Sequence, residues 1–349
     1  MTARPKRILS GVQPSGRLHL GNYLGAMRQN IALQDQGEGF YFIADYHALT
    51  TLPEAAAKAN RPAKDVLAEN VRDVALDYLA LGLDPAKATF YRQSDVPEVC
   101  ELAWFLASVT GMGLLERAHS FKDKVAQGIS PSVGLFTYPV LMAADILSVR
   151  ADVVPVGRDQ VQHLEMTRDM AGYFNGQFGE TFPMPREMLG AGAAVVPGTD
   201  GRKMSKSYGN TIELFAEGKA LKSQVMGIKT DSTPVDEPKT PEGNTVFELY
   251  KLFASAAEVD ALADQFRQPL LNAGDRNGRP FGYGDAKGLL LAKLDVYFGP
   301  ARERRKQLAA DPAAVEAVLA DGARRARDEV RKTLEVVRAA VGMSGRPAG

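Results

Sequence analysis

Residues 7–33 read RILSGVQPSGRLHLGNYLGAMRQNIAL, and this stretch decides the fold class. Residues 7–10 predict a short strand, and residues 11–16, GVQPSG, predict a turn-rich loop. Apolar residues then recur at helical spacing before the break at Gly37: Leu20, Leu24, Met27 and Ile31. A strand that leads through a glycine-rich loop into a helix is typical of the first unit of a doubly wound parallel sheet.

The same order of strand, glycine and helix repeats through the first half of the chain. Continuous apolar runs at 40–44 and 153–156 indicate buried parallel strands, and 89–91 is a third candidate. Helical patterns cover 66–81 and 161–174. The sequence therefore predicts an α/β fold with a Rossmann-type, doubly wound parallel sheet.

Beyond residue 210 the helical pattern dominates. We expect helices within 214–225, 246–252, 258–266, 286–297 and 301–341. Asp311-Pro312 is a good helix start, whereas Gly322 predicts a weak point. We therefore place a catalytic domain at 1–210 and an α-helical domain at 211–349, whose last helices could pack back on the catalytic domain.

The composition limits the possible classes of protein. The 349 residues include 42 basic and 42 acidic side chains, four His and one Cys. A single Cys excludes an intrachain disulfide framework and a zinc or iron–sulfur site built from cysteines. The balanced charge argues against binding of nucleic acid by bulk charge alone, although it allows a local basic face. With no apolar run of about 18 residues and no signal-peptide core, we expect a soluble, cytosolic protein without a membrane span.

The first of two chemical motifs joins the loop 11–16 to His19-Leu20-Gly21-Asn22. It follows the carboxyl end of the first strand, where doubly wound sheets bind ligands. His19 and Asn22 would stand at a helix N-terminus, which favours anions, and Gly21 would let a flat ring approach the backbone. An ordinary glycine-rich turn with a capping Asn explains this motif alone about equally well.

The second motif is Lys203-Met204-Ser205-Lys206-Ser207, in a loop flanked by glycines. Lysines and small hydroxyl residues in such a loop suit a mobile clamp on phosphates, because lysine is a compact charge on a flexible stem. Considered alone, the motif is explained as well by a solvated basic loop.

Together and in this order, the two motifs resemble the HIGH and KMSKS signatures of class I aminoacyl-tRNA synthetases. Residues 11–16, 138–147 and 154–160, with Glu116-Arg117 and Phe121-Lys122, narrow the resemblance to bacterial tryptophanyl-tRNA synthetases. The resemblance covers nearly the whole chain. It implies activation of L-tryptophan by ATP with Mg²⁺ to tryptophanyl-adenylate, and transfer to the 2′-hydroxyl of the terminal adenosine of tRNA(Trp).

By this resemblance, several segments supply the ATP site. Its residues are Gln13, Pro14, Ser15, Gly21, Asn22, Gly157, Arg158, Asp159, Val195, Lys203, Met204, Ser205, Lys206 and Ser207. The catalytic residues implied are Lys203, Lys206, Lys122, His19 and Asn22. The lysines and Mg²⁺ would neutralise the charge that builds on the leaving pyrophosphate. Because Mg²⁺ arrives with ATP, we expect no metal site built by the protein.

The tryptophan pocket implied by the resemblance is centred on Asp145, which in the family accepts the indole N–H. A site built around that hydrogen bond rejects phenylalanine and can make editing unnecessary. This agrees with the short span between strand 89–91 and the second motif, which leaves no room for an editing domain. The other pocket residues implied are Tyr138, Met142, Gln160, His47, Val154 and Val156.

The resemblance also implies a homodimer and a helical domain that binds the tRNA anticodon. The dimer interface would use helices at roughly 98–150, with Trp104 and Phe105 as candidates, although the core of one subunit explains these two residues as well. A basic stripe for tRNA could be formed by Arg324, Arg325, Arg327, Arg331 and Lys332. A solvated helix face explains that stripe at least as well.

Some positions depart from the common bacterial pattern. His19 stands where Thr is usual, and Tyr46 stands where Gln is frequent. Arg158 replaces a usual Glu, and Tyr208-Gly209-Asn210 replaces Asp-Pro-Asn. Because Tyr46 and Arg158 flank ligand positions, affinity or amino-acid selectivity could differ.

Three alternatives remain open on the sequence. A tyrosyl-tRNA synthetase shares the fold, but Asp-Pro-Thr is typical where Gln13-Pro14-Ser15 stand here. A nucleotidyltransferase that acts without tRNA would usually be shorter. A catalytically weak paralogue is disfavoured by the three lysines at the implied phosphate site, which are Lys122, Lys203 and Lys206.

Overall fold

The computed structural model describes residues 4–118, 121–122, 132–189 and 196–343, with the backbone alone at Asp159. The chain divides into two compact units. Unit 1 consists of Met1–Gly16, Gln29–Ala191 and Leu308–Gly349, and unit 2 consists of Arg17–Arg28 and Gly192–Gln307.

Unit 1 contains a parallel sheet. Its strands are β1 (Arg7–Val12), β2 (Glu38–Ile43), β3 (Ala88–Arg92), β4 (Val153–Val156) and β5 (Arg186–Leu189). They lie in the order β3-β2-β1-β4-β5, so β2 and β3 lie on one side of β1, and β4 and β5 lie on the other. In the register, Leu9 lies opposite Phe40, and Ile8 lies opposite Val153. The predicted α/β fold with a doubly wound parallel sheet is confirmed, and β5 is added to the strands that the sequence indicated.

Helices occur in the predicted regions, although several begin or end at other residues than the pattern indicated. In chain order they are α1 (Leu20–Asn22), α2 (Arg28–Leu33), α3 (Asp45–Ala48), α4 (Leu52–Ala59), α5 (Ala63–Ala80), α6 (Glu98–Val109), α7 (Met112–Leu115), α8 (Val133–Ser148), α9 (Val161–Phe178), α10 (Gly218–Met226), α11 (Thr245–Lys251), α12 (Ala256–Arg267), α13 (Tyr283–Ala310) and α14 (Pro312–Ala340). A π-helical turn, Tyr23–Met27, joins α1 to α2. The apolar spacing at 20–31 predicts one continuous helix and does not reveal this turn.

The hydrophobic core of unit 1 joins the sheet to four long helices. Buried side chains of β1, β2 and β3 contact those of α6, α8, α9 and α14. Leu102, Ala143 and Leu164 are fully buried there. Helix α14 contributes an apolar stripe to this core, which includes Ala326, Val330 and Leu334. Burying such a stripe stabilises a helix far more than its intrinsic propensity does.

Helix α14 belongs to unit 1. It lies in the predicted α-helical domain 211–349, whose last helices could pack back on the catalytic domain. The expectation of a weak point at Gly322 is wrong, because the helix continues through it. A Cβ at Gly322 would lie only 1.9 Å from the carbonyl oxygen of Phe90. Glycine therefore lets α14 approach the backbone of β3.

Three of the five cations of the suspected basic stripe hold α14 in place. Arg325 donates to the carbonyls of Pro85 and Ala88 at 2.8 and 3.0 Å. Arg327 and Arg331 both contact the carboxylate of Glu98, at 2.8 and 2.9 Å. Further pairs join Arg324 to Asp321 and Lys332 to Glu329. The contacts of Arg325, Arg327 and Arg331 fasten α14 to other elements of unit 1. Arg324 and Lys332 are exposed and pair with residues of the helix itself, so this part of the stripe is a solvated face.

In unit 2, an aromatic cluster joins the π-helical turn to α13. The hydroxyls of Tyr23 and Tyr297 lie 2.9 Å apart, and the ring of Phe298 packs against both tyrosines. The ring of Phe253 packs against Tyr297 and Phe298. Over the part of the chain that the structure describes, no helix is long and apolar enough to cross a membrane.

Candidate active site

The loops that follow four strands of unit 1 meet at one edge of the sheet. Residues 13–15 follow β1, Asp45–Ala48 follows β2, Gln93 follows β3, and residues 157–160 follow β4. Because these strands are parallel, their carboxyl ends lie at the same edge, which is where doubly wound sheets bind ligands.

A buried carboxylate lies at the centre of this edge. Asp145, in α8, is only 5% exposed. The side-chain amide of Gln93 donates to its two oxygens at 2.8 and 2.9 Å, and Nε2 of His47 lies 2.9 Å from Oδ2. Burial raises the pKa of Asp145, while the hydrogen bonds from His47 and Gln93 oppose that rise. The network supports an ionised carboxylate in a site that removes it from water.

This carboxylate is suited to accept one more hydrogen bond. A carboxylate offers about four acceptor positions, and Gln93 and His47 make three contacts with it here. Burial and the charge of Asp145 raise the pKa of the neighbouring Tyr91. A neutral N–H group entering from the pocket would form a charge-assisted hydrogen bond, which is stronger than a bond between neutral groups.

Tyr138 and His47 lie beside each other near Asp145. Their ring centres are 6.3 Å apart in an edge-on arrangement. The Tyr138 hydroxyl is hydrogen-bonded to Nε2 of His163, which is 4% exposed on α9. His163, which has no chemical assignment from the sequence, therefore holds the ring of a predicted pocket residue.

The structure adds residues that sequence reasoning missed. Gln93 is 1% exposed, and its side-chain oxygen Oε1 accepts a hydrogen bond from the backbone N–H of Tyr46 at 3.1 Å. Asp45 accepts hydrogen bonds from Ser94, which ties the loop after β2 to the loop after β3. The available signal is position alone, since each of these polar residues directly follows a buried strand.

The remaining predicted pocket residues occupy neighbouring elements of unit 1. Met142 is half-buried on α8, one helical turn before Asp145. Val154 is buried and Val156 is half-buried on β4, and Gln160 closes the 3₁₀ turn that precedes α9. The structure brings Asp145, His47 and Tyr138 together directly.

The predicted ATP residues of unit 1 lie mainly on exposed loops. Gln13 and Ser15 are exposed around the buried Pro14, and the N–H of Ser15 bonds to the carbonyl of Gln13 at 2.9 Å. Three other predicted residues are exposed: Gly157, Arg158 and Lys122. The side chain of Asp159 and the whole of Val195 lie outside the described residues.

Within unit 2, residues 19–22 of the first motif lie against the second motif. A Cβ on Gly21 would lie 2.9 Å from the His19 ring and 3.5 Å from the Cβ of Met204. Leu20 donates its N–H to Ile212 and Leu214 donates to Leu18, each at 3.0 Å, so a backbone pairing holds the first motif to the segment after the second.

The His19 ring is kept neutral at the contact between the motifs. It is 7% exposed, and its Nδ1 has no hydrogen-bond partner among the described residues. Burial first, and then the positive charge of Lys206, lower the pKa of His19 to about 4. The side-chain oxygen of Asn22 accepts from the backbone N–H of His19 at 3.1 Å. At neutral pH the ring can therefore form hydrogen bonds with a ligand without adding a positive charge to the site.

Residues 203–207, which we call the lysine loop, expose their cations. Lys203 is exposed and Lys206 is half-buried, while Met204 is 4% exposed and anchors the loop. The loop therefore offers movable positive charge on a fixed base, which suits an anionic ligand. Within the described residues, no cluster of three or more His, Cys, Asp or Glu side chains could hold a metal ion.

Comparison with known proteins gives a consistent result. A family model described as class I tRNA synthetases (W and Y) matches residues 1–275. Tryptophan–tRNA ligase of Rhodopirellula baltica is 51% identical over 337 residues, which span 97% of this chain and 99% of that relative. The same enzyme of Fusobacterium nucleatum is 52% identical over 337 residues, with 95% and 98% covered.

A solved structure agrees with these relatives. Tryptophanyl-tRNA synthetase from Campylobacter jejuni, complexed with ADP and tryptophan, superposes with a TM-score of 0.87 at 43% identity, covering 96% of this chain and 99% of that one. The signature motifs, the sheet and these similarities lead to one conclusion: the chain belongs to the tryptophanyl-tRNA synthetase family of class I aminoacyl-tRNA synthetases.

Proposed function

We propose that this chain activates L-tryptophan with ATP and Mg²⁺ and transfers the product to tRNA(Trp). The observation that carries the choice of amino acid is the buried Asp145 carboxylate, which Gln93 and His47 hold in place. Its remaining acceptor capacity matches the indole N–H. Phenylalanine would leave this buried acceptor unpaired, and a site of that kind discriminates strongly.

In the first step, a carboxylate oxygen of tryptophan attacks the α-phosphorus of ATP. The bond to the α-phosphorus forms as the α–β phosphoanhydride bond breaks, and pyrophosphate leaves with Mg²⁺, which enters as part of the substrate. The protein contributes orientation and charge. We assign the neutralisation of pyrophosphate to Lys203, Lys206 and Lys122. The tryptophan carboxylate is already ionised at neutral pH, so the step needs no general base.

His19 and Asn22 act at the phosphates in this proposal. The lowered pKa of His19 keeps its ring neutral, so Nδ1 is available for a hydrogen bond without competing with Lys206 for charge. By the resemblance, we assign nucleotide contacts to Gln13, Pro14, Ser15, Gly21 and Met204. Further assignments follow the resemblance: Asn22, Gly157, Arg158, Asp159, Val195, Ser205 and Ser207.

In the second step, the 2′-hydroxyl of the terminal adenosine of tRNA(Trp) attacks the adenylate carbonyl, and AMP leaves. We assign anticodon binding to the helices α10 to α13. Helix α14 is the weaker candidate, because its cations already contact Glu98, Asp321 and Glu329. We also propose a cytoplasmic location, because tRNA(Trp) is charged where translation uses it.

We also propose a homodimer formed through the helices at roughly 98–150. Trp104, Met112 and Val133, on three helices of this region, are 74%, 63% and 79% exposed. Large exposed apolar side chains that form a patch are typical of interaction surfaces. Phe105 is only 9% exposed, so the core of unit 1 explains its packing. Sedimentation of Trp104→Glu tests this proposal: the variant should run as a monomer where the parent protein is a dimer.

The function is tested by pyrophosphate exchange with tryptophan, tyrosine and phenylalanine, followed by charging of tRNA(Trp). We expect exchange with tryptophan alone and charging of tRNA(Trp). Exchange with tyrosine would favour the tyrosine branch of the family. Exchange without charging would favour a nucleotidyltransferase. The absence of both activities would indicate a paralogue that has lost catalysis.

A further inference from the structure

The two residues that flank the lysine loop contact each other. Arg202 precedes the loop and Tyr208 follows it, and the guanidinium carbon of Arg202 lies 4.4 Å from the centre of the Tyr208 ring. An arginine stacked over a tyrosine face at this distance is attracted by the ring quadrupole. The stack therefore joins the two ends of the loop that carries Lys203 and Lys206.

A polar network orients Arg202 in this stack. Its Nε and Nη2 contact Oδ2 of Asp200 at 2.7 and 2.6 Å. The other oxygen of Asp200 accepts from the side chain of Asn210 at 2.6 Å. The Asn210 hydrogen bond, followed by Arg202, lowers the pKa of Asp200 to about 2, so this carboxylate stays charged at any working pH.

Asn210 carries the same network into the loop itself. It is 2% exposed, its side-chain oxygen accepts from the N–H of Ser205 at 2.8 Å, and its amide donates to the carbonyl of Lys203 at 3.1 Å. Asn210 thus fixes the loop from inside, whereas the exposed stack of Arg202 on Tyr208 closes it from outside.

We propose that Arg202 and Tyr208 form a clasp that holds the lysine loop in the conformation presenting Lys206 beside His19. Both are positioning residues, since they act through the loop. Tyr208 is one of the departures from the common pattern, so the clasp is a feature of this chain. The consequence for catalysis rests on the proposed function: an open clasp leaves Lys206 less often in place when pyrophosphate departs.

Three substitutions separate the clasp from a general effect on folding. Tyr208→Leu keeps bulk but removes the aromatic face, Tyr208→Phe keeps the face, and Arg202→Met removes the cation. Tyr208 is 54% exposed and is not part of the core, so these variants should fold. The assay is pyrophosphate exchange, with separate titrations of ATP and tryptophan, and the parent protein reports on the proposed function in the same experiment.

We expect Tyr208→Leu and Arg202→Met each to lower kcat/KM for ATP about two- to fivefold, as befits an exposed cation–π pair. The KM for tryptophan should not change, Tyr208→Phe should match the parent, and the double variant should lose no more than one single variant. Equal losses in Tyr208→Leu and Tyr208→Phe, additive losses in the double variant, or a parallel rise in the KM for tryptophan would each overturn the clasp. An inactive parent protein would instead contradict the proposed function.

Discussion

The Asp145 site in unit 1 and the lysine loop in unit 2 use charge in opposite ways. Asp145 is an anion, 5% exposed and held by two polar side chains, so it is placed rigidly and shielded from water. The lysine loop carries cations on flexible stems, and its closing arginine and tyrosine are exposed. One region fixes a single acceptor, while the other offers charge that can move.

The contrast follows from what each region must do. Selecting one amino acid requires a penalty for the wrong one, and a buried acceptor imposes that penalty when it is left unpaired. Following a phosphate group through a reaction requires charge that adjusts as the leaving group departs. If this account is right, substitutions in the two regions should affect different kinetic quantities.

The largest expected effect comes from the lysine loop. Lys206→Ala should lower the rate of pyrophosphate exchange by about 10²- to 10³-fold, the range found when one electrostatic contact to a transition state is removed. Tryptophan binding, measured by calorimetric titration, should remain close to that of the parent. Lys219→Ala, which replaces an exposed lysine on α10, is the control. Its exchange rate and its tryptophan affinity should match those of the parent. Equal losses of rate and of tryptophan affinity would show that the two regions are not separable.

Asp145→Ala should produce the complementary defect. We expect kcat/KM for tryptophan to fall about 10- to 100-fold, because a hydrogen bond to a charged group contributes about 1.5–3 kcal/mol. The KM for ATP should change little. Asp169→Ala, at an exposed position of α9, is the matched control. A loss confined to ATP would contradict the assignment of Asp145 to the amino acid.

Gln93→Leu tests whether Gln93 supports Asp145 as a hydrogen-bond acceptor for tryptophan. Removing a hydrogen-bond donor should raise the KM for tryptophan about fivefold, since one hydrogen bond contributes about 1 kcal/mol. Burial already raises the pKa of Asp145 above its ordinary value, and the hydrogen bond from Gln93 opposes that rise. Without Gln93 the pKa rises further, so the ionised acceptor is lost at a higher pH as acid is added.

The measurement for Gln93→Leu is the KM for tryptophan as a function of pH. Its acid limb should move to higher pH than in the parent, and Gln93→Glu, which sets a second carboxylate against Asp145, should move it further. An acid limb that stays in place in both variants would mean that Gln93 does not act on Asp145.

The smallest expected effect concerns the aromatic cluster of unit 2. Tyr297→Phe removes the hydroxyl that lies 2.9 Å from that of Tyr23, and should lower the free energy of unfolding by about 1 kcal/mol. Urea unfolding followed by circular dichroism measures this change, with Tyr173→Phe, an exposed tyrosine of unit 1, as control. Tryptophan affinity should not change. A variant as stable as the parent would show that this contact does not support the π-helical turn that contains Tyr23.

The parts of the fold that rest on local pattern could be predicted. The strand at 153–156 occurs where the apolar run placed it, and the helix start at Asp311-Pro312 is observed with Asp311 capping Ala314. Strand β5 escaped notice because Arg186–Leu189 is short and largely exposed, so it lacks the apolar run of a central strand.

The contacts that depend on distant segments could not be predicted. Gln93 acquires its role only when β3 and α8 come together, and nothing in its local sequence marks it. Gly322 has the appearance of a helix breaker until β3 is seen against it. In the same way, the spacing of charges on α14 shows a basic stripe but does not show Glu98, which lies far away in sequence and contacts two of its arginines.

The most direct test of the account compares L-tryptophan with its benzothienyl analogue, in which sulfur replaces the indole N–H. The quantity is the ratio of their kcat/KM values in pyrophosphate exchange. The parent protein should prefer tryptophan by about 10²-fold or more, because the analogue leaves the Asp145 acceptor unpaired. Lys206→Ala should keep this ratio despite its low rate, and Asp145→Ala should bring the ratio close to one. A parent protein that accepts both substrates equally, or an Asp145→Ala variant that keeps the preference, would contradict the account.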